Sequence, residues 1–188
     1  MKLTGGGARG RRLLAGRSPG LRPSSARVRE ALFDILGARV GDAEVLDLYA
    51  GTGIVGLEAL SRGARRVVFV EVAGRAVRLI ATNLERTGLG DRADVLHEEA
   101  GAALARLVAS GARFDIVFVD PPYADGFPER SIAAAARLIR PGGVLVIEHA
   151  TRRPVPAGSV ALLRPGRTYR YGDSALVLFH RDAGGAPD

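Results

Sequence analysis

The stretch Val45-Leu46-Asp47-Leu48-Tyr49-Ala50-Gly51-Thr52-Gly53-Ile54-Val55-Gly56 runs from a short apolar segment into three glycines. A strand that turns through glycines into a helix is the opening unit of a doubly wound sheet. The glycines let the turn pass tightly and bring backbone N–H groups close to a ligand at the helix N-terminus. Glu71 closes the next apolar run, 20 residues after Gly51. A carboxylate there can accept hydrogen bonds from both hydroxyls of an adenosine ribose. The literal GxGxxG spacing also admits a dinucleotide dehydrogenase.

Asp47 shifts the balance. A dinucleotide site needs its strand to run straight into the glycines, because a carboxylate beside them would repel a pyrophosphate. An acid in that position suits the amino-acid end of S-adenosylmethionine, held directly or through water; its alternative role is to cap the loop. Further on, His97-Glu98-Glu99-Ala100 follows a weaker run at Asp94–Leu96. Glu99 can accept from an adenine amino group, although acids at a helix start are common for dipole reasons alone. His97 has no partner at ligand spacing, so no metal site is expected. Asp47, Tyr49, Gly51, Gly53, Glu71 and Glu99 make up the expected cofactor site.

Apolar runs at Val67–Val70, Ile116–Val119 and Val144–Ile147 alternate with helical stretches that stop at Gly63, Gly88, Gly111 and Pro141. That alternation predicts a mostly parallel α/β sheet. Pro23, Ser24 and Ser25 read as a helix start, with Val28, Leu32, Ile35 and Leu36 on one face. Near the end, Val160–Leu163 and Ala175–Phe179 flank RPGRTYRYGDS and predict an antiparallel hairpin at the sheet edge, seven strands in all. Residues 182–188 are expected to be a disordered tail.

The most specific segment is Ile116-Val-Phe-Val-Asp120-Pro121-Pro122-Tyr123. A buried strand ends in an acid, two prolines and an aromatic, at the sheet edge where such folds bind ligands. The prolines stiffen the turn and remove two donors, leaving carbonyls to accept. Tyr123 offers a face on which a base can stack. This set meets the needs of methylating an exocyclic amine, whose lone pair is delocalised into its ring. Asp120 and the Pro121 carbonyl can accept its two N–H bonds and turn the lone pair toward a methyl donor.

These residues resemble the Rossmann-like class I amino-methyltransferases that use S-adenosylmethionine. GGGARGRRL, LRPSSARVREALFDIL, DLYAGTG, GLEALSRGA, FVDPPY and YGD together resemble the RsmD-type family over roughly residues 3–181. The resemblance implies methylation of a guanine N2 in bacterial 16S ribosomal RNA, with Asp120, Pro121, Pro122 and Tyr123 as the catalytic motif. It also implies an RNA-touching basic hairpin at the N-terminus, and Arg27 and Glu30 on a helix bordering the cofactor. Ala26, Asp34 and Glu99 depart from the residues usual in the family. A DNA adenine-N6 methyltransferase can use the same acceptors, but the 65 residues after Tyr123 leave no room for a separate region that reads a DNA sequence. A nicotinamide dehydrogenase leaves both DPPY and the basic arm without a purpose.

Charge supports a polyanionic partner. Of a net +7 over 188 residues, residues 1–29 supply eight bases and no acid, which leaves the rest at −1. Residues 1–21 are therefore expected to be a basic arm or hairpin, with Arg9, Arg11, Arg12, Arg17 and Arg22 on RNA, and residues 22–181 the methyltransferase domain. At 47% hydrophobic and 25% charged the chain is globular. It has no cysteine, which excludes disulfides, thiolate metal sites and a cysteine nucleophile. Neither a signal peptide nor an apolar run of membrane length is visible. A cytoplasmic monomer acting on an assembling small ribosomal subunit is the expectation.

Overall fold

The structure, a computed structural model, describes residues 1–15, 26–122, 129–153, 155–156 and 160–184. Seven strands, β1 (Glu44–Leu48), β2 (Arg66–Glu71), β3 (Ala93–His97), β4 (Phe114–Val119), β5 (Ile139–Ala150), β6 (Arg164–Tyr171) and β7 (Ser174–His180), form one sheet in the order β3-β2-β1-β4-β5-β7-β6. The first five strands pair in parallel, and β7 runs antiparallel to both β5 and β6. Among the described residues five α-helices cover it: α1 (Ala26–Leu36), α2 (Ile54–Ser61), α3 (Gly74–Thr87), α4 (Ala100–Ala109) and α5 (Glu129–Arg137).

Side-chain alternation splits each central strand between two cores. Val45, Ile116, Phe118, Val144 and Val146 pack on the side of α1, α2 and α3, whereas Leu46, Leu48, Val117, Val119 and Ile147 pack against α4 and α5. In α3 the buried positions Ala76, Ile80, Asn83, Leu84 and Thr87 repeat at helical spacing, while Arg75, Arg78 and Arg86 face solvent. All eight residues of α2 are buried. Gly56 in that helix lies so close to β2 that a Cβ would come within 2.2 Å of the Phe69 ring.

The sheet edge differs from the sequence expectation. Val160–Leu163 is a turn, and the outer strand is Arg164–Tyr171, the stretch expected to be the connection. The real turn is only Gly172-Asp173, with Gly172 at φ 62°. An edge strand exposed along most of its length carries polar residues and no apolar run. Pro165 is tolerated there, beside a register shift. β5 is also longer than expected. α5 stops at Arg137, and the strand begins at Ile139 and continues through Pro141-Gly-Gly, where its pairing with β4 shifts register.

The N-terminal residues fold back as a small hairpin. Lys2 and Arg12 form an antiparallel bridge, and the N–H groups of Leu3 and Leu13 donate to the carbonyls of Arg11 and Met1. Leu3, Ala8 and Leu13 are buried in the core on the α1–α3 side. The expected helix start at Pro23–Ser25 and the last four residues of the expected tail lie outside the described residues. Asp182, within that tail, pairs with Arg164 at 3.3 Å.

Candidate active site

The adjacency of β1 and β4 sets the site. From this pair the sheet is built outward in both directions, and the carboxyl ends of the two strands open into one crevice. Leu48 is opposite Val119, so the glycine loop after β1 and the Asp120 motif after β4 leave the sheet side by side.

The loop is shaped by backbone geometry. Tyr49, Gly51 and Gly53 have φ of 62°, 54° and 71°, and α2 starts immediately afterwards at Ile54. A positive φ at a tyrosine is strained, and here it sends the side chain toward α5, where the phenol hydrogen-bonds Ser131. Burial, and secondarily the charge of Glu99, raise the Tyr49 pKa.

Glu71 is tied into the same loop. Its Oε2 accepts the N–H of Gly51 at 2.7 Å and its Oε1 accepts the N–H of Ala73 at 2.7 Å. Each oxygen keeps a further lone pair that can accept a ribose hydroxyl. Beside it, Val72 is 60% exposed, an apolar surface that sequence reasoning did not single out. Glu99 stands exposed at the start of α4, facing the same crevice closely enough to influence Tyr49.

Asp47 lies beneath the loop. Only 1% of it is exposed, and its Oδ2 accepts the N–H of Gly56 at 2.9 Å. The capping role is the one its geometry displays. Burial, partly offset by the Gly56 hydrogen bond, pushes its pKa up to about 7. The Asp120 pKa is also raised well above the carboxylate range, first by burial and then by the charges of Glu148 and Asp47. Glu148, on β5, is a further acid that sequence reasoning missed. It follows Ile147, the partner of Val119, so it stands in the next row of the sheet, level with Asp120. Its only sequence signal is a charge at the end of an apolar strand.

This group of acids fits S-adenosylmethionine. Three carboxylates in a water-poor crevice repel one another and favour a cation such as a sulfonium, and Glu71 on the glycine loop offers acceptors for a ribose. Pro121 is buried and Pro122 exposed, while Tyr123 lies outside the described residues. Arg27 and Glu30 are exposed on the first turns of α1, and Arg29 between them is buried.

The structure gives the basic residues different settings. Arg9, Arg11 and Arg12 are exposed on the hairpin, and Arg11 Nη1 donates to the Thr87 carbonyl at 2.6 Å. Thr87 ends α3, the far end from the crevice. Arg17 and Arg22 lie outside the described residues. What anchors the hairpin is Glu58, buried in the middle of α2, which accepts from Thr4 N–H at 2.9 Å, Thr4 Oγ1 at 2.8 Å and Arg62 Nε at 2.9 Å. Arg29 Nε approaches it at 3.6 Å.

Residues 1–180 match the family model described as Conserved hypothetical protein 95. The Escherichia coli Ribosomal RNA small subunit methyltransferase D is 41% identical over 132 residues, 70% of this chain and 65% of that protein, so the alignment spans just under two thirds of that relative. The Bacillus subtilis putative rRNA methyltransferase YlbH is 30% identical, with 96% of this chain and 99% of that protein covered. Among solved structures, the putative methyltransferase yhhF from Escherichia coli superposes with a TM-score of 0.83 at 30% identity, covering 98% of this chain and 99% of that one. The 16S rRNA N2 G1207 methyltransferase of T. thermophilus, solved with AdoMet and guanosine, gives a TM-score of 0.70 at 27% identity, covering 88% of this chain and 44% of that one. The nicotinamide reading of the glycine loop is set aside, and the chain belongs to the RsmD-type family of S-adenosylmethionine-dependent methyltransferases.

Proposed function

We propose that the protein transfers a methyl group from S-adenosylmethionine to the exocyclic N2 amine of a guanine in 16S ribosomal RNA. The observation that carries this reading is Asp120, a half-buried acid directly after β4 and beside the glycine loop, followed by two prolines. Support for ribosomal RNA comes from relatives named as small-subunit rRNA methyltransferases, and for guanine N2 from a fold neighbour named for that reaction.

The cofactor supplies an electrophilic methyl group next to a positively charged sulfur. Glu71 accepts the ribose hydroxyls and thereby fixes that group relative to the loop. Asp47 holds α2, and with it the loop, through Gly56. Asp120 and the Pro121 carbonyl accept the two N–H bonds of the guanine amine, so its lone pair leaves the ring plane and faces the methyl carbon. As the carbon–nitrogen bond forms and the carbon–sulfur bond breaks, positive charge grows on nitrogen, and the nearby Asp120 carboxylate stabilises it. The nitrogen then gives up one proton to the Asp120 carboxylate, which passes it on to water. Tyr123 stacks on the base once it has left its helix. A ribosomal RNA substrate places the protein where ribosomes are assembled, in the cytoplasm; we take it to act as a monomer on an assembling small subunit.

The test is single-turnover methyl transfer to unmethylated 16S ribosomal RNA, followed by mass spectrometry of the nucleosides. Asp120→Ala should keep affinity for S-adenosylhomocysteine, whose sulfur is neutral, and lose about 10²–10³-fold in transfer rate at saturating S-adenosylmethionine. Tyr123→Phe should keep most activity and Tyr123→Ala lose much of it. Transfer by Asp120→Ala at the parent rate would overturn the mechanism, and N6-methyladenine as product would overturn the substrate.

A further inference from the structure

The charge balance of −1 after residue 29 hides a division along the chain. Residues 149–184 hold six arginines against two acids, while residues 30–148 hold 13 arginines against 17 acids. The acidic share includes Asp47, Glu71, Asp120 and Glu148 around the crevice. A polyanion has to approach this negative centre, so cations must hold its backbone nearby. The hairpin arginines are poorly placed for that. Arg11 is fastened to the far end of α3, and a helix of 14 residues is roughly 21 Å long.

The end of the β6–β7 hairpin is close to the crevice. Ala150, two residues beyond Glu148 on β5, is opposite Ser174, and Ser174 is opposite Tyr171. The row Ala150–Ser174–Tyr171 is thus one step along the strands from the row that holds His149, Ala175 and Arg170. Neighbouring strands are about 4.8 Å apart, so this tip stands a few strand spacings from Asp120. It is also firmly built. Arg153 N–H donates to the Ala150 carbonyl at 2.8 Å, and Thr151 N–H to the Asp173 carbonyl at 2.8 Å, which locks the turn after β5 onto the β6–β7 turn. On this platform Arg152 and Arg170 are exposed and Tyr171 is half-buried. Successive side chains alternate faces along β6, so Tyr171 lies partly against the α1–α3 core while Arg170 projects from the opposite side of this edge strand. An RNA strand that wraps the edge meets guanidinium groups for its phosphates and the open part of a ring for an unstacked base.

We propose that Arg152, Arg170 and Tyr171 form a second RNA-docking surface, which holds the nucleotides next to the target base at the mouth of the crevice. The inference rests on the proposed rRNA substrate and adds where that RNA is gripped. In this arrangement the N-terminal hairpin holds a distant part of the RNA, and the β6–β7 tip sets the approach of the reacting nucleotide.

The experiment uses the full chain and unmethylated 16S ribosomal RNA, comparing the parent with Arg152→Ala/Arg170→Ala, the matching Lys/Lys variant and Tyr171→Ala. S-adenosylhomocysteine affinity, measured by calorimetry, reports on folding and should be unchanged in all of them. The double alanine variant should raise KM for RNA with kcat largely kept. The slope of log affinity against log salt should fall by about 0.7 for each phosphate that is no longer neutralised. The Lys/Lys variant should recover most of that slope, and Tyr171→Ala should raise KM without changing it. An unchanged KM and salt slope in the double alanine variant, with an active parent, would overturn this surface and leave the proposed function standing. A parent that methylates no ribosomal RNA would overturn both.

Discussion

The carboxylate of Glu58 accepts both the backbone N–H and the hydroxyl of Thr4, a residue 54 positions earlier in the chain. Glu58 is fully buried and is also approached by Arg29 and Arg62. This junction makes the basic N-terminus part of the folded body. Removing one partner of a buried ion pair costs about 3–5 kcal/mol, because the other charge is left uncompensated. Glu58→Ala should therefore lose stability on that scale in urea unfolding, and Thr4→Val about 1–2 kcal/mol. A Glu58→Ala variant as stable as the parent would mean that the junction holds nothing.

The arm cannot simply be cut away to test its role, because Leu3, Ala8 and Leu13 belong to the core. Substituting Arg9 and Arg12 by alanine leaves the core intact. These variants should weaken RNA binding at low salt and flatten its salt dependence, with cofactor affinity unchanged. An unaltered salt slope would remove these two arginines from the RNA surface.

Glu71→Ala should weaken S-adenosylmethionine binding by roughly 1.5–3 kcal/mol, the scale of charge-assisted hydrogen bonds. The loop loses its brace at Gly51 in the same variant, so Glu71→Gln is the sharper probe. It keeps one acceptor and should fall between parent and alanine. Calorimetry that returned parent affinity for both would exclude Glu71 from the ribose site.

Asp47 makes stability and ligand binding depend on pH. Its pKa stands at about 7 in the folded chain against an ordinary 3.8. Between those values the folded chain keeps a proton that the unfolded chain has lost, so this group's contribution to stability falls as pH rises from about 4 to about 7. Asp47→Asn keeps an acceptor for Gly56 and removes the buried charge. It should be more stable than the parent above that range, by at most roughly 4 kcal/mol at about 1.36 kcal/mol per pKa unit. A sulfonium in the crevice favours ionised Asp47 and Asp120, so S-adenosylmethionine should release protons on binding near pH 6 to 7 and bind more tightly as pH rises. S-adenosylhomocysteine, with a neutral sulfur, should show less of both. Equal proton release for the two ligands, measured in buffers of different ionisation enthalpy, would contradict this.

The parallel strands β1, β2, β4 and β5 were legible because they are buried on both faces and read as apolar runs, whereas the edge strand β3, only half-buried, gave a weaker one. The crevice was legible for a related reason, since glycines at positive φ and an acid ending an apolar strand are local features. Contacts between distant segments were not. Arg29 was counted only as one more base of the N-terminal charge and Glu58 was not singled out, although each is buried, and only the fold shows that they face the same hairpin. Strand β6 was misread because an exposed edge has no need of apolar residues. Glu148 was passed over because nothing local distinguishes an acid inside β5 from one that begins a loop.

The docked hairpin also has a history within a single round of synthesis. Thr4 must wait for Glu58, and Arg11 for Thr87, which is made 76 residues later. At about 5–20 residues per second, translation takes roughly 4–15 s to cover that interval. Throughout it, the most cationic part of the chain, first inside the ribosome and then outside it, is without the surfaces on α2 and α3 that will dock the hairpin. Each new molecule therefore begins as an undocked polycation beside the ribosome that made it, and becomes a shaped one only once α3 has emerged.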